Sequence, residues 1–420
     1  MSYRRLIVED RAILVGLDLS IPYINEEKSL QELEGLANAV GIKVVDKIIQ
    51  NSSKVYPKYY VGSGKVLEIK KAVEILNATM VIFDDPLSPA QIKNLEAELD
   101  VQIIDRSFLI LSIFAERAKT KEAVLEVDLA QKLYLLPRLS GMGSSLSRQG
   151  GGSYNAKGPG ETKLELDRRK LLGDISRIKT ELSKIQLEKE TSRKKRLKNR
   201  IPIVALVGYT NAGKSSLMNS LSKALNNDSD EVLEKDMLFA TLDTKTKKLQ
   251  KDNYPPFLLV DTVGFVSKLP HELVNSFEST LSDILNADLL IHVVDGLNPD
   301  SYHIQTTKDV ITRLGASNIP RMLVLTKGEY RIAPPFLSED YLLISNKTGF
   351  NIDLLINNIY GEIYNDFRSY TFKIPFNKGE IINHFKTNYQ VLSLDYLEDG
   401  ILVKALLPEN EKNKLIEYLL

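Results

Sequence analysis

The stretch that most constrains this chain is IVALVGYTNAGKSSLMNSL, residues 203–221. An apolar run meets Gly208-x-x-x-x-Gly213-Lys214-Ser215, and a helical pattern follows. That is the strand, glycine loop and helix that a phosphate-binding P-loop requires. The glycines let backbone N–H groups converge on phosphate oxygens at a helix N-terminus. Tyr209, Thr210, Asn211 and Ala212 form the loop between the two glycines. Lys214 is placed to reach the β- and γ-phosphates, and the Ser215 hydroxyl to ligate Mg²⁺. A chance glycine turn is a poor competitor, because sequence context and spacing agree. The shorter VGSGK at 61–65 lacks the spacing and reads as a helix N-cap.

Two further parts follow in order. LVDTVGF, 259–265, ends an apolar run with Asp261, Thr262, Val263 and Gly264. The Asp261 carboxylate can hold the magnesium shell, and the Gly264 N–H can meet a γ-phosphate. Between these motifs lies MLFATLDTKTKKL, with Phe239, Ala240, Thr241, Leu242 and Asp243 at its centre. Thr241 is the first candidate for a switch hydroxyl on Mg²⁺, with Thr244 the alternative. The candidate phosphate chemistry therefore runs through Lys214, Thr241 and Gly264, and the candidate metal ligands are Ser215, Thr241 and Asp261. Position 265 is Phe, where Ras-like enzymes carry a glutamine that orients the attacking water. Phenylalanine has no donor or acceptor, so slow intrinsic hydrolysis is expected.

Base recognition is less regular. LVLTKGEY, 323–330, ends a strand pattern with Thr326, Lys327, Gly328 and Glu329, where a guanine clamp would read Asn-Lys-x-Asp. Glu329 can offer guanine the same bidentate acceptor from a longer stem. Lys327 can lay its stem along the base, and Thr326 keeps a hydroxyl where an amide would brace the P-loop. Ser345, Asn346 and Lys347 form the last loop of the set. GTP is the favoured substrate, and a site that also takes ATP stays open.

The remaining chain sets the architecture. Net charge is zero, so no global pull toward nucleic acid or membrane follows. With no cysteine there are no disulfides or thiolate metal sites. No apolar stretch approaches the roughly 18 residues of a membrane span. A monomer of the cytosol is expected. Residues 1–106 alternate strand and helix patterns and predict a parallel α/β domain. Residues 107–200 turn helical: Leu125, Leu129, Leu133 and Leu136 form one stripe. Leu164, Leu171, Ile175, Ile178, Leu182 and Ile185 form a second. An antiparallel helical hairpin is expected there, against two helices packed separately on a core. Its loop, 138–160, holds seven glycines, three basic residues and no acidic one. Residues 161–200 carry fourteen Lys/Arg against seven Asp/Glu. This reads either as a solvated face with a charged linker or as an arm facing RNA phosphates. Residues 201–366 form the P-loop domain, with strands expected at 203–207, 257–261, 289–294, 321–326 and 341–344. Residues 367–420 complete the α/β chain as a small α+β domain.

On GYTNAGKSSL, LFATLDT, DTVGFVSKLPHELVNSF and, most discriminating, GPGETKLELDRR at 158–169, the chain resembles the HflX GTPases. The resemblance extends from about residue 12 to the C-terminus. It implies the same four-part architecture and a GTP-hydrolysing factor that binds the large ribosomal subunit and its rRNA. It also implies that such a factor splits or rescues ribosomes under stress, antibiotic stress included. The chain departs from the family in the glycine loop, GGGSYNAKGPGE, and in the TKGE and SNK motifs. Two other functions stay open: a nucleotide-gated ribosome-binding module that needs no turnover, and an ATP-dependent RNA remodelling enzyme.

Overall fold

The structure is a computed structural model that describes residues 10–20, 25–139, 163–198, 201–225, 245–251, 254–268, 284–297, 299–330, 337 and 339–420. These divide into two compact units. The first runs to Leu187 and also takes in Val266, Ser267 and Lys268; the second comprises the rest.

The first unit opens with β1 (Arg11–Asp18), α1 (Glu26–Ala39), β2 (Lys43–Asn51), α2 (Ser63–Leu76), β3 (Met80–Phe83), α3 (Pro89–Leu99) and β4 (Gln102–Asp105). The four strands are parallel in the order β2-β1-β3-β4. Ile13, Leu14 and Val15 of β1 are wholly buried, as in a strand covered on both faces. The α1 positions that carry its helical period, Leu30, Leu33, Leu36 and Ala37, are the buried ones. Gly62 is the N-cap of α2 and its N–H donates to Gln50 Oε1 at 2.9 Å, so VGSGK is a helix start. Helices α4 (Arg106–Arg117), α5 (Lys121–Leu135) and α6 (Lys163–Lys198) follow. Leu129 of α5 packs with Ile175 and Ile178 of α6, flanked by Leu125, Leu133, Leu136, Leu171 and Leu182. The two stripes therefore meet each other. Residues 140–162 and the side chains of 163–164, Leu164 of the second stripe included, and of 189–200 lie outside the described residues.

The second unit contains β5 (Ile203–Gly208), α7 (Lys214–Ala224), β6 (Lys245–Leu249), β7 (Phe257–Asp261), β8 (Leu289–Asp295), α8 (Ser301–Arg313), β9 (Arg321–Thr326), β10 (Leu342–Leu343) and α9 (Ile352–Ile363). The sheet order is β10-β9-β8-β5-β7-β6, with only β6 antiparallel to its neighbour. Strand β6 was not expected. Its sequence, KTKKL, is charged, and it pairs by its backbone at the sheet edge, where lysines are well tolerated. Strand β10 is shorter than the run expected at 341–344. A three-stranded antiparallel sheet, β11 (Phe367–Ile374), β13 (Gly400–Pro408) and β12 (Gln390–Leu397), closes the chain. Its core forms around Phe372, Phe385 and Val403, with α10 (Gly379–Asn388) and α11 (Glu409–Lys414) alongside. Among the described residues no helix is long and apolar enough to cross a membrane.

Candidate active site

The site lies where β5, β7, β8 and β9 end at one edge of the second sheet. At the end of β5 the chain turns sharply through Gly208, φ +152°, where a Cβ would fall 2.2 Å from the Val293 carbonyl oxygen. Gly213, φ +91°, starts α7, so that helix presents its N-terminus to the loop. Asn211 also has a left-handed backbone, φ +59°.

Lys214 is buried, and its ammonium donates to the carbonyls of Gly208 at 3.1 Å and Tyr209 at 2.8 Å. Burial lowers its pKa to about 8 against the opposing pull of Asp261. Ser215 Oγ donates to Asp261 Oδ2 at 2.7 Å, which brings two of the three expected metal ligands together. A hydroxyl and a carboxylate are the hard oxygen donors that Mg²⁺ selects. Thr262 Oγ1 donates to the Leu206 carbonyl at 2.6 Å and so ties β7 to β5. Val263 is buried. Gly264 packs so tightly that a Cβ there would lie 3.0 Å from Lys214 Nζ and 2.9 Å from Thr210 Cα. The third expected metal ligand, Thr241, falls with Phe239, Ala240, Leu242, Asp243 and Thr244 outside the described residues.

Thr326 Oγ1 donates to the Ala212 carbonyl at 2.8 Å, so its hydroxyl braces the P-loop. A second brace was not anticipated: Asn346 Nδ2 approaches the Gly213 carbonyl at 3.4 Å. The amide absent from position 326 is thus supplied from the last loop, which the SNK motif could have signalled. Lys327, φ +58°, pairs with Asp295 at 2.7 Å. Gly328 lies against the Ile344 carbonyl, and Ser345 is wholly buried. Lys347 donates to the Tyr330 hydroxyl. Three polar oxygens, Thr210 Oγ1, Glu329 Oε2 and Asn346 Oδ1, are buried with no hydrogen-bond partner among the described residues. Buried polar atoms ordinarily find partners, so these oxygens fit a site made for a polar ligand.

A mostly parallel sheet, a glycine loop opening a helix, and a hydroxyl–carboxylate pair beside a buried lysine define a P-loop nucleotide-binding domain. Residues 203–327 match the family model described as "50S ribosome-binding GTPase". Residues 27–115 and 117–196 match "GTP-binding GTPase N-terminal" and "GTP-binding GTPase Middle Region". GTPase HflX of Caldanaerobacter subterraneus subsp. tengcongensis is 41% identical over 98% of this chain and 94% of its own length. GTPase HflX of Escherichia coli K12 is 36% identical over 93% of this chain and 91% of its own. The chain belongs to the HflX family of GTPases, and it is a GTP-hydrolysing enzyme.

Proposed function

We propose that this GTPase binds the large ribosomal subunit and uses GTP to split or rescue ribosomes under stress. The observation that carries this is the Lys214, Ser215 and Asp261 constellation within a segment matching a ribosome-binding GTPase model. The basic sequence at 161–200 and the acid-free, glycine-rich sequence at 138–160 support a contact with rRNA, because Lys and Arg neutralise phosphates. The place of action is the cytosol, and the acting form is a monomer.

In this reading the P-loop N–H groups and Lys214 hold the phosphates of GTP. Ser215, Asp261 and Thr241 hold Mg²⁺, which when bound neutralises charge on the phosphate oxygens. Gly264 offers its N–H to the γ-phosphate, and Glu329 accepts from the guanine edge. Catalysis is then mostly positioning and charge stabilisation.

A module that needs nucleotide but not turnover is the second reading. It is favoured by Phe265, which is buried and carries no group to orient water. Binding of GTP and ATP measured side by side, with and without large subunits, tests the first reading together with subunit separation on sucrose gradients. Splitting that requires GTP and fails with a non-hydrolysable analogue is expected. Full splitting with the analogue would establish the second reading, and a preference for ATP would overturn both. Deleting 141–160 should leave nucleotide binding intact and impair splitting. Charge reversals at 193–200 should flatten the salt dependence of ribosome binding.

A further inference from the structure

Phe265 gives hydrolysis no side-chain group to orient water, yet a hydroxyl-bearing residue is bonded to it through the backbone. The Thr210 N–H donates to the Phe265 carbonyl at 2.8 Å, and Tyr209 and Phe265 form a parallel β-bridge. The P-loop is thus fixed at Thr210 against the segment that ends at the water-orienting position. The contact extends to the preceding residue. A Cβ on Gly264 would lie 2.8 Å from Thr210 Cγ2, 2.9 Å from Thr210 Cα and 3.0 Å from Lys214 Nζ. Thr210, Gly264 and the Lys214 ammonium therefore crowd around one point, and only a glycine at 264 permits it.

Thr210 is buried, with 7% exposure. Its N–H is paired and its methyl faces Gly264, but its Oγ1 has no hydrogen-bond partner among the described residues. A hydroxyl offers one donor and two acceptor positions. Taking it out of water without a partner is unfavourable, and packing alone gives no reason for it. A β-branched side chain is also stiff about χ1. With the methyl held against Gly264, the hydroxyl has few directions left to it. The site therefore carries a buried, rotationally restrained hydrogen-bonding group beside Gly264.

We propose that Thr210 is a catalytic residue that takes the place of the glutamine absent at position 265. Its Oγ1 accepts a hydrogen bond from the attacking water and donates one to a γ-phosphate oxygen. This rests on the phosphate-site reading above, in which Lys214 and the Gly264 N–H border the γ-phosphate, and deepens it by naming the group that positions the water. In the reaction the water oxygen bonds to the γ-phosphorus as the β,γ-bridging P–O bond breaks, and GDP leaves with that electron pair. One water proton stays on the orthophosphate, and the other passes by way of a γ-phosphate oxygen to solvent. Thr210 keeps its own proton throughout. Its contribution is orientation from a preorganised position.

The test compares Thr210→Val, which keeps the branched shape and deletes the hydroxyl, with Thr210→Ser, which keeps the hydroxyl. Single-turnover GTP hydrolysis is measured in each. Affinities are measured for GDP, for a non-hydrolysable GTP analogue, and for GDP with aluminium fluoride, which mimics the phosphoryl group in transfer. Thr210→Val should slow hydrolysis about tenfold or more and weaken the aluminium fluoride complex by a similar factor. GDP affinity should stay within about twofold of wild type, and analogue affinity should fall far less than the rate. Thr210→Ser should keep most of the rate. A Thr210→Val rate within twofold of wild type overturns the proposal. An equal loss of analogue affinity and rate also overturns it, because the hydroxyl is then a ground-state phosphate contact. Loss of GDP binding by Thr210→Val overturns it too, because the hydroxyl then holds the P-loop itself. Lys214→Ala separates the two readings. If that variant binds and hydrolyses like wild type, the phosphate-site reading falls and the Thr210 assignment with it. If it is impaired while Thr210→Val is not, the Thr210 assignment alone falls.

Discussion

The backbone N–H of Thr210 donates to the carbonyl of Phe265 at 2.8 Å, and the Phe265 N–H returns a bond to the Gly208 carbonyl at 3.1 Å. The residue at the water-orienting position is thereby paired with the P-loop through its backbone. Its ring is buried. Hydrolysis by the free protein should therefore be slow. Large subunits should stimulate it at least about tenfold, equivalent to roughly 1.4 kcal/mol of barrier. Phe265→Ala should alter the packing of this segment more than the chemical step. Single-turnover rates with and without subunits check this, and fast hydrolysis by the isolated protein would contradict it.

Nucleotide binding should take up protons near pH 8. Burial lowers Lys214 to about pKa 8, whereas phosphate oxygens favour its charged form. At pH 8 the uptake should be about half a proton, and it should fade toward pH 7. Titration calorimetry in buffers of different ionisation enthalpy reads it directly. For stability the sign follows the same shift: between pH 8 and 10.5 the unfolded chain binds more protons here, so this group favours folding as pH rises. Lys214→Ala should abolish the proton uptake and weaken triphosphate binding roughly 10- to 100-fold, the loss of a charged hydrogen bond of about 1.5–3 kcal/mol.

Glu329 Oε2 is buried without a hydrogen-bond partner among the described residues. A carboxylate oxygen in that position suits the donors on the guanine edge, and a site built to pair them rejects a base lacking them. Glu329→Gln should therefore cut the GTP-over-ATP preference by roughly tenfold. Thr326→Asn with Glu329→Asp should raise it. Competition binding with both nucleotides decides the matter, and an unchanged ratio would remove Glu329 from base recognition.

Acid should destabilise the second unit through His292. This wholly buried imidazole on β8 receives a bond from Arg321 at 3.1 Å on Nδ1, so its proton sits on Nε2. Burial, with the Arg321, Lys308 and Lys214 charges, lowers its pKa to about 3. Below pH 6.5 the unfolded chain takes up a proton that the folded one refuses. Stability is full above that pH and is lost as pH falls toward 3, by about 2 kcal/mol between pH 6.5 and 5. His292→Leu should flatten this part of the urea-denaturation profile, and an unaltered profile would assign the acid sensitivity to other groups.

The sequence by itself determined the residues of the candidate phosphate site. Gly208, Gly213, Lys214, Ser215 and Asp261 act through local geometry, with glycines where a Cβ cannot fit and side chains fixed by one strand end or helix start. The same holds for the strands of both parallel sheets and for the Leu129, Ile175 and Ile178 seam, whose apolar periods are set by burial. Strand β6 escaped because its lysines carry no period, and only its backbone pairing defines it. The SNK motif offered an amide at Asn346, but only the tertiary structure brought it to the Gly213 turn that Thr326 also lines. The tertiary structure alone placed Lys268 among Glu26, Asp84 and Asp85. Asp84 is 184 residues away in sequence, and isolated charges along a chain carry no signal of their partners until the fold removes them from water and makes pairing obligatory.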